Sequence, residues 1–130
     1  MADCPFDTFE NVAAFRLQRF SGLPRFSLIP VLKIGETYTR LIYGVDLAKA
    51  SPLEAIRGTS VPVLLIHGSA DNHIPSSQSE ALHAANPGAT ELWIVAGAQH
   101  VSSILKEEDG YRRRVIAWFA KLGEPSAHEP

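Results

Sequence analysis

The clearest hydrophobic pattern lies in the second half of the chain. Residues 61–66 form a continuous apolar run rich in branched side chains, which is typical of a strand buried on both faces of a parallel sheet. A second short strand is predicted over residues 91–95, in which Glu91 precedes four apolar residues. Between the two runs, Ser77 opens a predicted helix of about nine residues that a strong breaker ends at residues 86–88. Strand, helix and strand in this order predict a right-handed parallel unit of an α/β sheet.

An amphipathic helix is predicted near the end of the chain. Apolar residues recur there at helical spacing: Tyr111, Val115, Trp118, Phe119 and Leu122. Gly123 is the predicted stop of this helix, and the three arginines at 112–114 fall on its solvated side. We expect the polar tail, residues 124–130, to be frayed.

The first half of the chain has weaker signals. Asp7 and Glu10 have the spacing of a capping box, and the apolar residues that follow predict an amphipathic helix over residues 8–20. Residues 21–57 are predicted to be largely irregular, because prolines such as Pro30 and a glycine interrupt their apolar clusters. A segment of this length inside a compact domain indicates a functional loop such as a lid.

Two short helices are predicted within that segment, one over residues 37–43 and one that begins at the N-cap Ser51. The predicted fold class is therefore α/β, with two parallel strands, flanking helices and a helical or irregular lid. Two strands alone leave a sheet edge bare and an apolar face uncovered, so we expect the chain to form part of a larger sheet.

Composition narrows the class of protein. With 130 residues, 45% of them hydrophobic, and a net charge of -2, the chain can form one domain with a real core. Its basic residues are scattered, which argues against a nucleic-acid surface. One cysteine excludes an internal disulfide framework. No apolar run reaches the roughly 20 residues of a membrane span, and the N-terminus lacks a signal-peptide pattern, so we expect a cytoplasmic location.

Polar residues follow both predicted strands, where chemistry is expected in an α/β sheet. Asp71 lies in the loop after the first strand and His100 in the loop after the second. The carboxyl ends of parallel strands meet at one edge, so we expect the two side chains within hydrogen-bond reach, about 2.6 to 3.2 Å. A carboxylate that holds one imidazole nitrogen leaves the other free as a general base, which is the Asp–His half of a nucleophile triad.

These loops resemble the C-terminal part of α/β-hydrolase fold enzymes, a family that includes dienelactone hydrolases, thioesterases and prolyl-oligopeptidase-like peptidases. The matching motifs are His-Gly-x-x-Asp-x-x-x-Pro over residues 67–75 and Gly-x-x-His over residues 97–100. The resemblance implies that Asp71 is the acid and His100 the base. Residues 2–6 are similar to the segment that follows the strand after the nucleophile elbow.

The resemblance also implies a division of the chain into four segments. Residues 1–20 would hold a helix that follows a missing upstream strand. Residues 21–57 would be a lid-like or cap-like insertion over the active site. Residues 58–123 would be the C-terminal β-α-β-α unit that carries acid and base, and residues 124–130 a tail.

The chain departs from the family at the nucleophile. It has no Gly-x-Ser-x-Gly elbow, no oxyanion-hole segment, and no elbow glycines around Cys4. We therefore expect the C-terminal part of a serine hydrolase that cleaves an ester or related acyl bond, inactive as this chain alone, with the serine outside it. Two alternatives are a serine peptidase and an inactive remnant that serves in binding or assembly.

Four further residues are candidates for contact with a small-molecule ester or acyl substrate: His73, Ile74, Tyr38 and Tyr43. The alternative for the tyrosines is that the apolar lid residues merely pack against the sheet. His67 ends a buried strand and is expected to pack near the site or to hydrogen-bond a loop, whereas His83 and His128 are expected at the surface.

No metal and no cofactor are expected. His67, Asp71 and His73, with His100 nearby, offer zinc-compatible atoms, but their spacing matches no recognised ligand pattern and the strand-loop context already explains it. The bare sheet edge indicates that the chain can pair with a second copy as a homodimer.

Overall fold

The computed structural model describes residues 1–123, which form a three-stranded parallel sheet with helices on both faces. The elements in chain order are β1 (Ala2–Asp3), α1 (Phe9–Ser21), α2 (Arg25–Tyr43), a 3₁₀ turn (Leu47–Lys49), α3 (Pro52–Arg57), β2 (Val63–Gly68), α4 (Ser77–Ala85), β3 (Thr90–Val95), α5 (Ser103–Lys106) and α6 (Glu108–Gly123). The predicted tail over residues 124–130, which includes His128, lies outside the described residues.

The sheet has one more strand than the sequence pattern predicted. β2 is central and pairs in parallel with β1 on one side and β3 on the other. The α/β class is therefore confirmed, and the expectation of only two strands was wrong. β1 has two residues, too few to show any periodicity, and its partner Leu65 lies far along the sequence.

Alternate side chains of β2 enter two separate cores, as the pleat of a strand requires. Leu64 and Ile66 are buried in a cluster against which apolar residues of α6 pack. Leu65 is buried on the other face with Ile56 of α3 and Leu82 of α4. The central strand is thus buried from Leu64 to Gly68, contrary to the expectation that its apolar side chains would face an open side of the sheet.

The segment expected to be irregular contains the longest helix of residues 1–123. α2 runs for 19 residues with Pro30 inside it and ends at Gly44, whose φ is 69°. An interior proline costs a helix about 3 kcal/mol or more. Leu28 and Leu32, one turn apart, are buried where α2 packs on α1, and this burial offsets the cost of the proline. The irregular assignment was therefore wrong for residues 25–36, whereas the helix predicted over residues 37–43 is present as the end of α2.

The start of α1 is one residue later than the capping-box pattern indicated. Thr8 is the N-cap, and its hydroxyl accepts a hydrogen bond from the Asn11 amide at 3.1 Å. Asp7 is buried just before the helix, where its carboxylate accepts from the Thr8 amide at 2.6 Å and from the Asn11 side chain at 2.7 Å. Asp7 therefore supports the cap from outside the helix.

Other helix boundaries agree in part with the predictions. Ser51 caps α3 through the Glu54 amide, as predicted, and α4 spans the predicted nine residues from Ser77. α4 has no side-chain cap, however, and α6 begins at Glu108, three residues before the first apolar position. Within residues 1–123, no helix is both long enough and apolar enough to cross a membrane.

Candidate active site

The loop that follows β2 places Asp71 at the carboxyl end of the sheet. Its side chain is buried. One carboxylate oxygen accepts hydrogen bonds from the amides of His73 at 2.7 Å and Ile74 at 2.9 Å. The Asp71 carboxylate thereby closes the 71–74 turn, which is the local reason for an aspartate here.

The other Asp71 oxygen accepts a hydrogen bond from Nδ1 of His100 at 2.8 Å. This distance lies within the range expected from the sequence. His100 follows β3 through Gly97, which has a φ of 69°, and the buried Ala98. The imidazole of His100 is one-third exposed, so its second nitrogen is reachable by a reacting group.

Burial and hydrogen bonding act in opposite directions on Asp71. Burial raises the pKa of the carboxyl, but the Ile74 amide, the His100 imidazole and the His73 amide lower it by more. The net pKa is therefore lowered, and the carboxylate is ionised at neutral pH. An ionised acceptor fixes the proton of His100 on Nδ1 and leaves Nε2 able to accept one.

His67 contacts both the turn that holds Asp71 and helix α4. It is fully buried at the end of β2. Its Nε2 lies 2.9 Å from the Ile74 carbonyl oxygen and 3.3 Å from Asp71 Oδ2, and its Nδ1 lies 2.6 Å from Ser79 Oγ. Because Nε2 faces two acceptors, we assign its proton there, with Nδ1 accepting from the Ser79 hydroxyl. His67 thus ties the 71–74 turn to α4.

Cys4 lies in the same cluster, which the sequence reasoning missed. Its sulfur accepts a hydrogen bond from the Val101 amide at 3.4 Å and lies 3.4 Å from a carboxylate oxygen of Asp3. The ligand atoms of Cys4, Asp71 and His100 all lie within 4.8 Å of one another. No local pattern places Cys4 here, because its position depends on β1, which brings a third strand end to this edge.

The Cys4 thiol is poorly suited to act as a nucleophile. Burial is the main cause that raises its pKa to about 11; the Val101 and Gly68 amides lower the pKa, and the nearby Asp71 and Asp3 carboxylates make smaller contributions that raise it. The thiol is therefore protonated at neutral pH, whereas thiol chemistry requires the thiolate. A protonated thiol is also a poor metal ligand. A metal bound by Cys4, Asp71 and His100 would in addition have to break the Asp71–His100 hydrogen bond.

The four predicted substrate contacts lie in two places. The His73 ring packs against the His100 ring with centroids 5.3 Å apart, and its Nδ1 contacts the guanidinium of Arg16. Ile74 contributes backbone atoms to the Asp71 turn. Tyr38 and Tyr43 pack edge to face on each other on α2 and are both exposed. Neither tyrosine takes part in the hydrogen-bond network around Asp71.

Comparison with known proteins finds a relative in sequence and a similar solved structure. No family model matches it. The chain is 35% identical over 124 residues to the YqkD protein of Bacillus subtilis (strain 168); the match covers 95% of this chain and 40% of YqkD. The structure of the Pyrococcus furiosus esterase PF2001 is similar with a TM-score of 0.59 and 20% identity, over 92% of this chain and 43% of the esterase chain. The chain thus spans less than half of either protein.

At 20% identity the esterase shows a shared fold, not a shared activity. The comparison therefore shows that this chain has a parallel α/β fold.

Proposed function

We propose that this chain supplies the acid and the base of a serine-hydrolase triad and that the serine comes from residues outside the printed sequence. The observation that carries the proposal is the 2.8 Å hydrogen bond from His100 Nδ1 to the buried Asp71 carboxylate. Three facts support it: the fold resemblance to an esterase, the coverage of 40% of YqkD, and the lack of a Gly-x-Ser-x-Gly elbow in these 130 residues.

In this mechanism His100 Nε2 takes the proton of the serine hydroxyl as the serine oxygen forms a bond to the acyl carbon. Asp71 keeps the imidazole oriented and stabilises the imidazolium. His100 then returns the proton to the leaving alcohol, whose bond to the acyl carbon breaks. A water molecule, deprotonated in the same way, hydrolyses the acyl-enzyme and releases the acid and the serine.

The substrate class we favour is an ester or a related acyl bond, because the structural neighbour is an esterase. The direct experiment compares p-nitrophenyl ester turnover by two proteins. One is the 130-residue chain alone, and the other is this chain joined to the part of YqkD outside the match. We expect no turnover by the first and measurable turnover by the second.

Variants of the joined protein test the assigned roles. His100→Ala should lower kcat by about 10³-fold or more, and Asp71→Asn should also lower it strongly. His83→Ala is the control, since His83 bonds Thr90 Oγ1, away from the Asp71 network. If the 130-residue chain alone hydrolyses the ester and Cys4→Ala abolishes this turnover, Cys4 is the nucleophile. An inactive but folded joined protein would favour a remnant that serves in binding.

A further inference from the structure

A cleft of about 420 Å³ lies between the C-terminal half of α1 and the loop that follows β2. The residues that line it are Arg16, Arg19, Phe20, Asn72 and His73. The ring of His73 packs against the ring of His100. A group bound in the cleft is therefore separated from the proposed base by a single imidazole.

The cleft concentrates positive charge. Arg16 and Arg19 are three residues apart on α1, so they lie on the same side of the helix, and no lining residue is acidic. Within residues 1–123, neither arginine forms an ion pair with a carboxylate. The chain as a whole carries a net charge of -2, so the charge of the cleft is opposite in sign to that of the chain.

The polar groups of the cleft are mostly hydrogen-bond donors. The Arg16 guanidinium donates to His73 Nδ1, which orients that guanidinium and leaves its other N–H groups free for a ligand. Arg19 and the amide of Asn72 add further donors, while Phe20 gives one apolar wall. Guanidinium groups match carboxylate and phosphate oxygens in shape and charge.

We propose that this cleft binds an oxyanion group, a carboxylate or a phosphate, carried by the substrate whose acyl bond is positioned at His100. That the oxyanion group belongs to a substrate rests on the proposed function. That the cleft binds such a group does not. The favoured substrate class is therefore an ester with an anionic group on one side of the acyl bond.

Ligand titration of the isotope-labelled 130-residue chain tests the proposal without turnover. The probes are monomethyl succinate, its neutral counterpart dimethyl succinate, and inorganic phosphate, each added at pH 7.5 and constant ionic strength. The carbon-bound ring protons of His73 and His100 report binding by NMR. We expect saturable shifts with monomethyl succinate and affinity weaker by about tenfold or more for the dimethyl ester, the effect of one lost charge-assisted hydrogen bond.

Three variants complete the test. Arg19→Gln, at an exposed position, should weaken binding of the anionic probe about tenfold, and Arg19→Lys should retain most of it. Arg113→Gln on α6 is the matched control and should leave binding unchanged. Tighter binding of phosphate than of the carboxylate would identify phosphate as the preferred group. Tighter binding of the carboxylate would identify a carboxylate.

Equal binding of the neutral and anionic esters, or an Arg19→Gln variant that binds as the parent chain does, would overturn the proposal. These outcomes are separable from failure of the triad. Loss of anion binding leaves the effects of Asp71→Asn and His100→Ala in the joined protein untouched, and an inactive joined protein leaves the titration intact.

Discussion

The sulfur of Cys4 accepts a hydrogen bond from the amide of Val101 at 3.4 Å, and both residues have a positive φ, 51° and 52°. Positive φ is uncommon outside glycine and persists only where the surroundings impose it. Here the contact joins the end of β1 to the residue immediately after His100. Two strained positions therefore hold each other in place beside the proposed base.

Replacement of Cys4 tests whether this contact positions His100. In Cys4→Ala the Val101 amide loses its acceptor and a small cavity remains, so we expect a lower free energy of unfolding by about 1–3 kcal/mol. The Nδ1 proton of His100 should also exchange faster with water, as seen by NMR. Cys4→Ser keeps an acceptor, so its free energy of unfolding and its exchange rate should be closer to those of the parent chain. Equal exchange rates in all three proteins would remove the positioning role.

The thiol of Cys4 should be unreactive in the folded chain. Since burial raises its pKa to about 11, almost no thiolate is present at pH 8, and iodoacetamide should label the native chain far more slowly than the urea-unfolded chain. Alkaline titration of thiolate absorbance at 240 nm should show a midpoint above that of the unfolded chain. Rapid native labelling would contradict both the burial and the raised pKa.

Asp71 should make the stability of the chain depend on acid pH. Its pKa is lowered in the folded state by the Ile74 and His73 amides and by His100, which outweigh burial. A lowered folded pKa stabilises the fold above the unfolded pKa of about 4, and this contribution disappears as the pH falls through the folded pKa. Between pH 6 and pH 2, the free energy of unfolding in urea should therefore fall by less for Asp71→Asn than for the parent chain. Asp109→Asn, on α6, is the control.

The Asp71–His100 relationship could be anticipated from the sequence because both loops follow apolar runs that are easy to recognise. Position after a parallel strand fixes which edge a loop occupies, so two local patterns were sufficient. The loop lengths and the residue types then agreed with a carboxylate–imidazole pair.

β1 and α2 could not be anticipated, for two different reasons. β1 is defined only by the pairing of Ala2 with Leu65 and of Asp3 with Ile66, contacts distant in sequence that no local pattern encodes. α2 contains Pro30, a strong local breaker, and forms because burial of Leu28 and Leu32 outweighs it. The site residue that was missed, Cys4, depends directly on β1.

Self-association remains a prediction of the sheet geometry. Within residues 1–123, β1 and β3 are each paired on one side only, and unpaired edges are templates for pairing with another chain. Light scattering after size exclusion should give a mass that rises toward twice that of the chain as concentration increases. A concentration-independent monomer with a sharp melting transition would show that these edges are protected.

Gly68 ends β2 just before the loop that carries Asp71, and its lack of a side chain is required there. A Cβ at this position would overlap the backbone carbonyl of Ala98, and it would lie within 2.8 Å of the Gln99 carbonyl oxygen. Backbone cannot move aside as a side-chain tip can. We therefore expect Gly68→Ala to lower the free energy of unfolding by about 1–3 kcal/mol or more and to separate the two loops.

Gly35→Ala provides the matched control for this substitution. Gly35 lies inside α2, and a Cβ there has no neighbour within 4 Å. The same change should stabilise the chain by up to about 1 kcal/mol, since alanine favours helix more than glycine does. Urea unfolding measures both effects, and the Nδ1 proton of His100 reports the site. If Gly68→Ala behaves like Gly35→Ala in both measurements, the two loops do not depend on the close approach of Gly68 to Ala98.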